Sequence, residues 1–275
     1  MGKATQPLYS QLKEVEDKYP DRLLLKEIFH SIQGEGSLIG VYTTFIRFAG
    51  CQLQCNFCDT DFSFEKALTV EEVVNIIEAE NPRYCNWTGG EPLINKKRIK
   101  QITRVIDELD ENIIHTVETN GLVPLTKIEQ KRFDLITISP KFDYYGGADK
   151  PESCAQFIKN DYSKVQIKFV IDTAKDLVLA NEFLNAVELL LDKNEAEEMR
   201  HISLVFQPCW KDDAVAKVSS SRGKPITRHL GWDEKVQETF DRMLLVKEFV
   251  DEAKLNRKFP LLRILPQLHK YLELR

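Results

Sequence analysis

Cys51, Cys55 and Cys58 stand in C-x3-C-x2-C spacing, directly after Arg47-Phe48-Ala49-Gly50. A loop this compact can turn three thiolates onto three corners of an iron-sulfur cubane, whose full complement is four cysteines. One iron is then left open, and an open iron binds a ligand as well as passing electrons. A closed zinc site would want a fourth Cys or His, and none lies within about ten residues on either side. His30 or Cys85 would have to fold back to complete one. Cys85, Cys154 and Cys209 are scattered and read as buried thiols packing as small apolar groups.

Other polar sets surround this cluster in the chain. Thr88-Gly89-Gly90-Glu91-Pro92 follows a strand-like run some thirty residues beyond the cysteines, and its glycines permit close backbone approach and positive φ. Upstream, Ser31-Ile32-Gln33-Gly34-Glu35-Gly36 places an amide and a carboxylate among small residues, suited to reading a mixed donor and acceptor edge. Arg47 adds a planar fork fit for a carboxylate, or for a salt bridge at a strand end.

The elements that must carry these groups read as a βα succession. Strands are expected at 23–29, 43–48, 83–87, 113–118, 134–139, 164–171 and 201–207, each apolar enough to be buried on both faces. Thr69-Val70-Glu71-Glu72 is a capping box opening a helix through about Ala79, stopped by Pro82. Ile99, Ile102, Val105, Ile106 and Leu109 mark a second helix, and 176–191 a third. Parallel strands joined by helices put their functional loops at the strands' C-terminal ends. Residues 1–20 read as a polar surface extension to a core over 21–275. The polar stretch 211–235, with Ser219-Ser220-Ser221, Gly223, Pro225 and Gly231, reads as a long mobile insertion.

Composition bounds the rest. The 275 residues, 43% hydrophobic, suffice for one large α/β domain, and a net charge of −5 offers no basic field for nucleic acid. No run approaches the roughly 20 apolar residues of a membrane span and no apolar signal core opens the chain, so a cytoplasmic protein is expected.

The cysteine loop after one core strand and the Gly-Gly-Glu-Pro segment after the next resemble the radical S-adenosylmethionine (SAM) superfamily. More narrowly, Ser31 to Gly36, Arg47 to Cys51, Cys58-Asp59-Thr60, Glu118-Thr119-Asn120-Gly121, Ser139-Pro140-Lys141 and Arg263 to His269 are similar to the 7-carboxy-7-deazaguanine synthase family, with matches from about residue 27 to 271. The resemblance implies a partial (β/α) barrel of about six parallel strands, a modified radical SAM core. It implies a homodimeric lyase that uses a 4Fe-4S cluster, SAM and Mg2+. The reaction implied is conversion of 6-carboxy-5,6,7,8-tetrahydropterin to 7-carboxy-7-deazaguanine with loss of ammonia, on the route to queuosine. An external flavodoxin- or ferredoxin-type electron donor goes with it.

Carried over residue by residue, the resemblance makes Cys51, Cys55 and Cys58 the iron ligands and Thr60 the Mg2+ ligand. Phe57, Cys58, Asp59, Gly90, Ser139, Pro140 and Lys141 would contact SAM, the glycine pair letting backbone approach its methionine end. Glu118 would hold SAM ribose or substrate. Ile32, Gln33, Gly34, Glu35, Arg47, Thr88 and His269 would bind the pterin. Some relatives also supply a C-terminal carboxylate, usually from Pro, whereas this sequence finishes Glu273-Leu274-Arg275. Two rivals are a glycyl-radical-enzyme activase, with the same cysteine spacing, and a noncatalytic iron-sulfur electron-transfer protein. The small polar set at Gln33, Glu35 and Arg47 favours a small acidic heterocycle over the first. The second leaves the Gly-Gly-Glu-Pro and Ser-Pro-Lys segments without a role.

Overall fold

The computed structural model describes residues 12–55, 57–58, 60–142, 148–210, 215–219, 225–229 and 232–272. Its centre is a nine-stranded sheet built from β1 (Leu23–Ile32), β2 (Tyr42–Phe48), β3 (Lys66–Leu68), β4 (Tyr84–Gly89), β5 (Ile114–Thr119), β6 (Leu135–Ile138), β7 (Val165–Ile171), β8 (Ser203–Pro208) and the last strand, Leu262–Ile264. Strands β2, β4, β5, β6, β7 and β8 pair side by side in parallel, and Leu262–Ile264 adds a short parallel edge to β8. That is the six-stranded parallel core of an opened (β/α) barrel.

The parallel core has one face of each kind, because the side-chain period of a strand is two. Ile46, Phe48, Trp87, Val117, Ile136, Ile138, Ile167, Phe169, Leu204 and Phe206 are all fully buried and form the central apolar cluster. Between them along the strands come Arg47, Asn86, Thr88, Thr116, Glu118, Thr137, Gln166 and Lys168, which share registers on the opposite face. The expectation of strands apolar on both faces is therefore corrected. One face meets the helices and the other holds polar groups that the site needs.

Helices close the apolar face. Thr69 caps Val70–Glu80 through a reciprocal capping box, and Asn81 ends it in the left-handed conformation, just before Pro82. Lys96–Glu108 buries Ile99, Ile102 and Val105, and Ala174–Leu189 buries Leu177, Ala180, Phe183, Leu184 and Val187. Pro151–Asp161, Lys193–Met199 and Trp232–Glu252 are further helices that periodicity did not single out. Among the described residues no helix is long and apolar enough to cross a membrane.

Three expectations change on the periphery. The first strand, β1, is not a parallel βα unit but pairs antiparallel with both β2 and β3. The N-terminal segment is not wholly a surface extension: Leu12 is buried against Leu24 and Ala49, beside the helix Lys13–Lys18. Within 211–235, β9 (Val215–Ser219) and β10 (Pro225–His229) form an antiparallel hairpin, and a helix starts at Trp232, so the stretch is not irregular throughout. The last strand, Leu262–Ile264, is accordingly β11.

The ring of Phe169 stacks on Phe142 and Phe206 and meets Phe183 edge-on, with centroids 5.7 to 6.1 Å apart. Phe169→Ala should lower unfolding stability by about 3–5 kcal/mol, the range for truncating a buried aromatic side chain. Urea unfolding followed by circular dichroism checks this; a loss under about 1 kcal/mol would mean the core collapses around the gap.

Candidate functional site

The C-terminal ends of the parallel strands open into one cleft of about 640 Å³. The cysteine loop forms one wall. It leaves β2 through Gly50, whose φ of +74° turns the chain sharply, so that Cys51, Cys55 and Cys58 all line the cleft. The amide of Cys58 donates to the Cys55 carbonyl at 3.1 Å, closing a tight turn between the last two thiols. All three are free thiols, Cys51 buried and the others half-buried. Burial pushes the Cys51 thiol up to about 12, helped by the Glu91 charge, and raises Cys55 in spite of Lys141.

Among the described residues, no three His, Cys, Asp or Glu side chains converge on a point that would hold a single metal ion. Three soft sulfurs spaced along one loop suit a cluster that gives each its own iron. The donor set therefore fits the cubane.

The loop is locked to the sheet by backbone. Gly90 N–H donates to the Phe48 carbonyl at 2.9 Å and Glu91 N–H to the Gly50 carbonyl at 3.0 Å. A Cβ on Gly90 would lie 1.9 Å from the Gly50 oxygen, and one on Gly89, at φ +112°, would lie 2.3 Å from the Phe48 nitrogen. The glycine pair thus has a reason inside the chain itself: two strand ends touch there.

The buried Glu91 carboxylate continues the lock, accepting from Leu93 N–H at 2.8 Å, Thr119 Oγ1 at 2.7 Å and Asn120 N–H at 2.7 Å. Burial raises its pKa against these three donors. Ser139 N–H in turn donates to the Thr119 carbonyl at 2.8 Å, and Lys141 Nζ donates to Ser139 Oγ at 2.7 Å while lying 5.6 Å from the Phe57 ring centroid. Lys141 is thereby held against the cysteine loop.

Another part of the cleft lining is a network of charges. Lys168, on β7, is buried between two carboxylates: it donates to Glu118 Oε2 at 3.2 Å and to Glu35 Oε2. Glu118 Oε1 also accepts from Gln33 Nε2 at 3.0 Å and Asn86 Nδ2 at 2.9 Å. Gln267 Nε2 donates to Glu35 Oε1 at 2.7 Å, and Leu268 N–H donates to the Gly34 carbonyl at 2.9 Å. Burial by itself would raise the Glu35 pKa, but the charges of Lys168 and His269 and the hydrogen bonds from Lys168 and Gln267 bring it down to about 2. Burial would lower Lys168, and the Glu118 and Glu35 charges raise it instead.

Of the residues singled out in the sequence, Ile32, Gln33, Gly34, Glu35, Arg47, Cys51, Cys55, Phe57, Cys58, Thr60, Thr88, Gly90, Glu118, Ser139, Lys141 and His269 all line this cleft. Arg47 also pairs with Glu27 at 3.5 Å and lies 5.0 Å from the Phe29 ring centroid, which is the salt bridge at a strand end. Pro140 is buried but does not line the cleft. Asp59 lies outside the described residues, as do Glu273 to Arg275.

Sequence reasoning missed Lys168, Gln267, Asn86 and Trp210. The signal for Lys168 was present: Val165-Gln166-Ile167-Lys168-Phe169 alternates with period two, which puts the lysine on a polar buried face. Cys209, one of the scattered cysteines read as buried thiols, is buried and also lines the cleft beside Trp210.

Residues 45–177 match the Radical SAM superfamily model, a span that runs from β2 to beyond β7. Curated relatives include the 7-carboxy-7-deazaguanine synthase of Thermoplasma acidophilum, 30% identical over 195 residues that cover 70% of this chain and 85% of the relative. That of Rhodopirellula baltica is 32% identical over 189 residues, covering 62% and 70%. Among solved structures, a crystal structure of QueE from Escherichia coli superposes with a TM-score of 0.55 at 19% identity, covering 90% of this chain and 95% of that one. At that identity the superposition speaks for the fold.

Gly90→Ala should destabilise the protein by about 1–3 kcal/mol, the cost of overpacking a closed contact, and should lower the iron bound after anaerobic reconstitution. Urea midpoints and iron assays check both. Wild-type values for both would mean that the Gly50–Gly90 contact does not fix the loop.

Proposed function

The chain belongs to the 7-carboxy-7-deazaguanine synthase family of radical SAM enzymes, and from that membership we propose how its cleft divides the work of converting 6-carboxy-5,6,7,8-tetrahydropterin to 7-carboxy-7-deazaguanine. The enzyme is a lyase of deazapurine biosynthesis that uses a 4Fe-4S cluster and SAM. The observation that carries the assignment of residues is the shared cleft: three free cysteines on one wall face a buried amide, carboxylate and lysine set on the other.

A bound cluster and SAM would supply one-electron reduction and hydrogen abstraction from the pterin. This chain's residues hold the parts in place and keep water out. Cys51, Cys55 and Cys58 would hold the cluster, three thiolates for a group whose full set is four. Phe57, Cys58, Asp59, Gly90, Ser139 and Lys141 would contact SAM, with Pro140 fixing the turn between Ser139 and Lys141. The Lys141 ammonium, fixed by Ser139, offsets the negative charge of the thiolate loop.

Gln33 and Glu35, with the backbone from Ile32 to Gly34, read the pterin's donor and acceptor edge, with Thr88 and His269 alongside. Glu118 serves mainly by orienting Gln33, Asn86 and Lys168, which leaves it a supporting part in the substrate wall. The Arg47 guanidinium keeps donors beyond its Glu27 contact and pairs the substrate carboxylate. Thr60 would offer a hydroxyl to Mg2+, a hard cation that prefers oxygen ligands. Family resemblance further supports a homodimer and a small flavodoxin- or ferredoxin-type reductant, acting in the cytoplasm. The rivals lose ground on the same evidence, since the curated relatives carry the synthase name.

Anaerobically reconstituted protein given SAM, reductant and the carboxytetrahydropterin should form the deazaguanine chromophore and release ammonia. An intact cluster without product would reject the substrate assignment. Arg47→Ala should raise the pterin KM at least about tenfold, as removal of a charge-assisted fork does, while iron content stays at the wild-type level. An unchanged KM would take Arg47 out of the substrate wall.

A further inference from the structure

Lys168 is a charged side chain in the middle of the polar face of β7, 5% exposed, deep in the cleft and hydrogen-bonded to two carboxylates from different elements. Burying an ammonium is unfavourable unless its charge is matched. Here two carboxylates share one ammonium, so Lys168 alone leaves an excess of negative charge on the pair.

The geometry of Glu35 shows where that excess is directed. Lys168 occupies one lone pair of Oε2, and Gln267 Nε2 occupies one lone pair of Oε1 at 2.7 Å. A carboxylate has about four acceptor sites, so each oxygen keeps a second one, and the two donors together fix the plane of the group. The Glu35 amide donates to Gln33 Oε1 at 3.1 Å, which ties its backbone to the amide that neighbours it in the cleft. Such a carboxylate can accept two parallel N–H groups, the pattern that the aminopyrimidinone edge of a pterin presents.

Resting on the reading above, we propose that Lys168 is the positioning residue of the substrate wall: it holds the Glu35 carboxylate charged and fixed in plane for two N–H donors of the pterin edge, and is itself held from behind by Glu118. Without the ammonium, burial favours the protonated acid, in which one Glu35 oxygen becomes a donor and opposes a substrate N–H.

The groups facing Glu35 and Lys168 are Glu118 from β5, His269 and Gln267 from the C-terminal segment, and Gln33 from the same loop as Glu35. Loss of Lys168 removes the main opposing charge while burial remains, so the Glu35 pKa rises from about 2 toward neutrality. Pterin affinity of such a variant then increases with pH as Glu35 ionises. In the wild type Glu35 is ionised throughout the neutral range.

The test is calorimetric titration of the carboxytetrahydropterin into anaerobically reconstituted protein, without reductant so that no turnover occurs, between pH 6 and 8.5. Lys168→Met should weaken binding at least about tenfold at pH 6, with the deficit shrinking as pH rises, while SAM affinity and the cluster's visible absorbance stay at wild-type values. Lys168→Arg, which keeps the charge, should bind better than Lys168→Met and show no such pH trend. Lys168→Gln carries the same expectation as Lys168→Met and replaces it if that variant does not fold. A deficit independent of pH, or a Met variant that binds as well as the Arg variant, would reduce Lys168 to packing and overturn the proposal. A wild-type protein that does not bind the pterin would instead reject the substrate assignment on which it rests.

Discussion

The touching backbones at Gly50 and Gly90 set the position of everything else in the cleft. Two hydrogen bonds cross there, Gly90 to Phe48 and Glu91 to Gly50, and the end of β4 could not approach so closely if Gly90 carried a Cβ. Glu91 then extends the same contact to the end of β5 through Thr119 and Asn120, and Thr119 passes it to Ser139 at the end of β6. Three loops that come from distant parts of the sequence are thus tied together by hydrogen bonds. Radical chemistry between bound groups depends on such fixed separations, because misplacement of reacting atoms by about 1 Å can cost on the order of a hundredfold in rate.

Onto this frame the chain places two kinds of charge. Next to the cysteines, Lys141 faces thiols whose burial opposes ionisation. Elsewhere in the cleft, the Glu35 and Glu118 carboxylates meet the one ammonium of Lys168 and further hydrogen bonds in a buried site. The two arrangements differ in purpose. The first receives its main balancing charge from iron when a cluster is bound, whereas the second is complete within the polypeptide and can be rigid before any ligand arrives.

Much of this was legible before the fold was known. The cysteine spacing, the glycine pair and the capping box at Thr69 are local signals, and local signals survive without tertiary context. What escaped depended on partners far along the chain. Leu23 to Phe29 looked like any buried strand, but whether it runs parallel or antiparallel to β2 is decided by the turn through Gly36 and Gly40 and by pairing with β3. Strands β9 and β10 pair with each other rather than with the main sheet, so their pattern carried no imprint of the core. Lys168 was passed over because a strand in a parallel sheet was taken to be apolar on both faces, and a barrel interior that holds a polar site breaks that rule. Leu12 shows the same limit at the N-terminus, where a few apolar residues in a polar stretch give no hint that Leu12 docks beside Leu24, with Val15 and Tyr19 packed on the same cluster.

The central claim is that Cys51, Cys55 and Cys58 hold an iron cluster whose remaining corner takes SAM. Electron paramagnetic resonance of the anaerobically reduced protein tests it most directly. The account predicts a paramagnetic 4Fe-4S signal that shifts when SAM is added and is absent when all three cysteines are replaced by alanine. A signal indifferent to SAM, or one that persists in the triple variant, would contradict it.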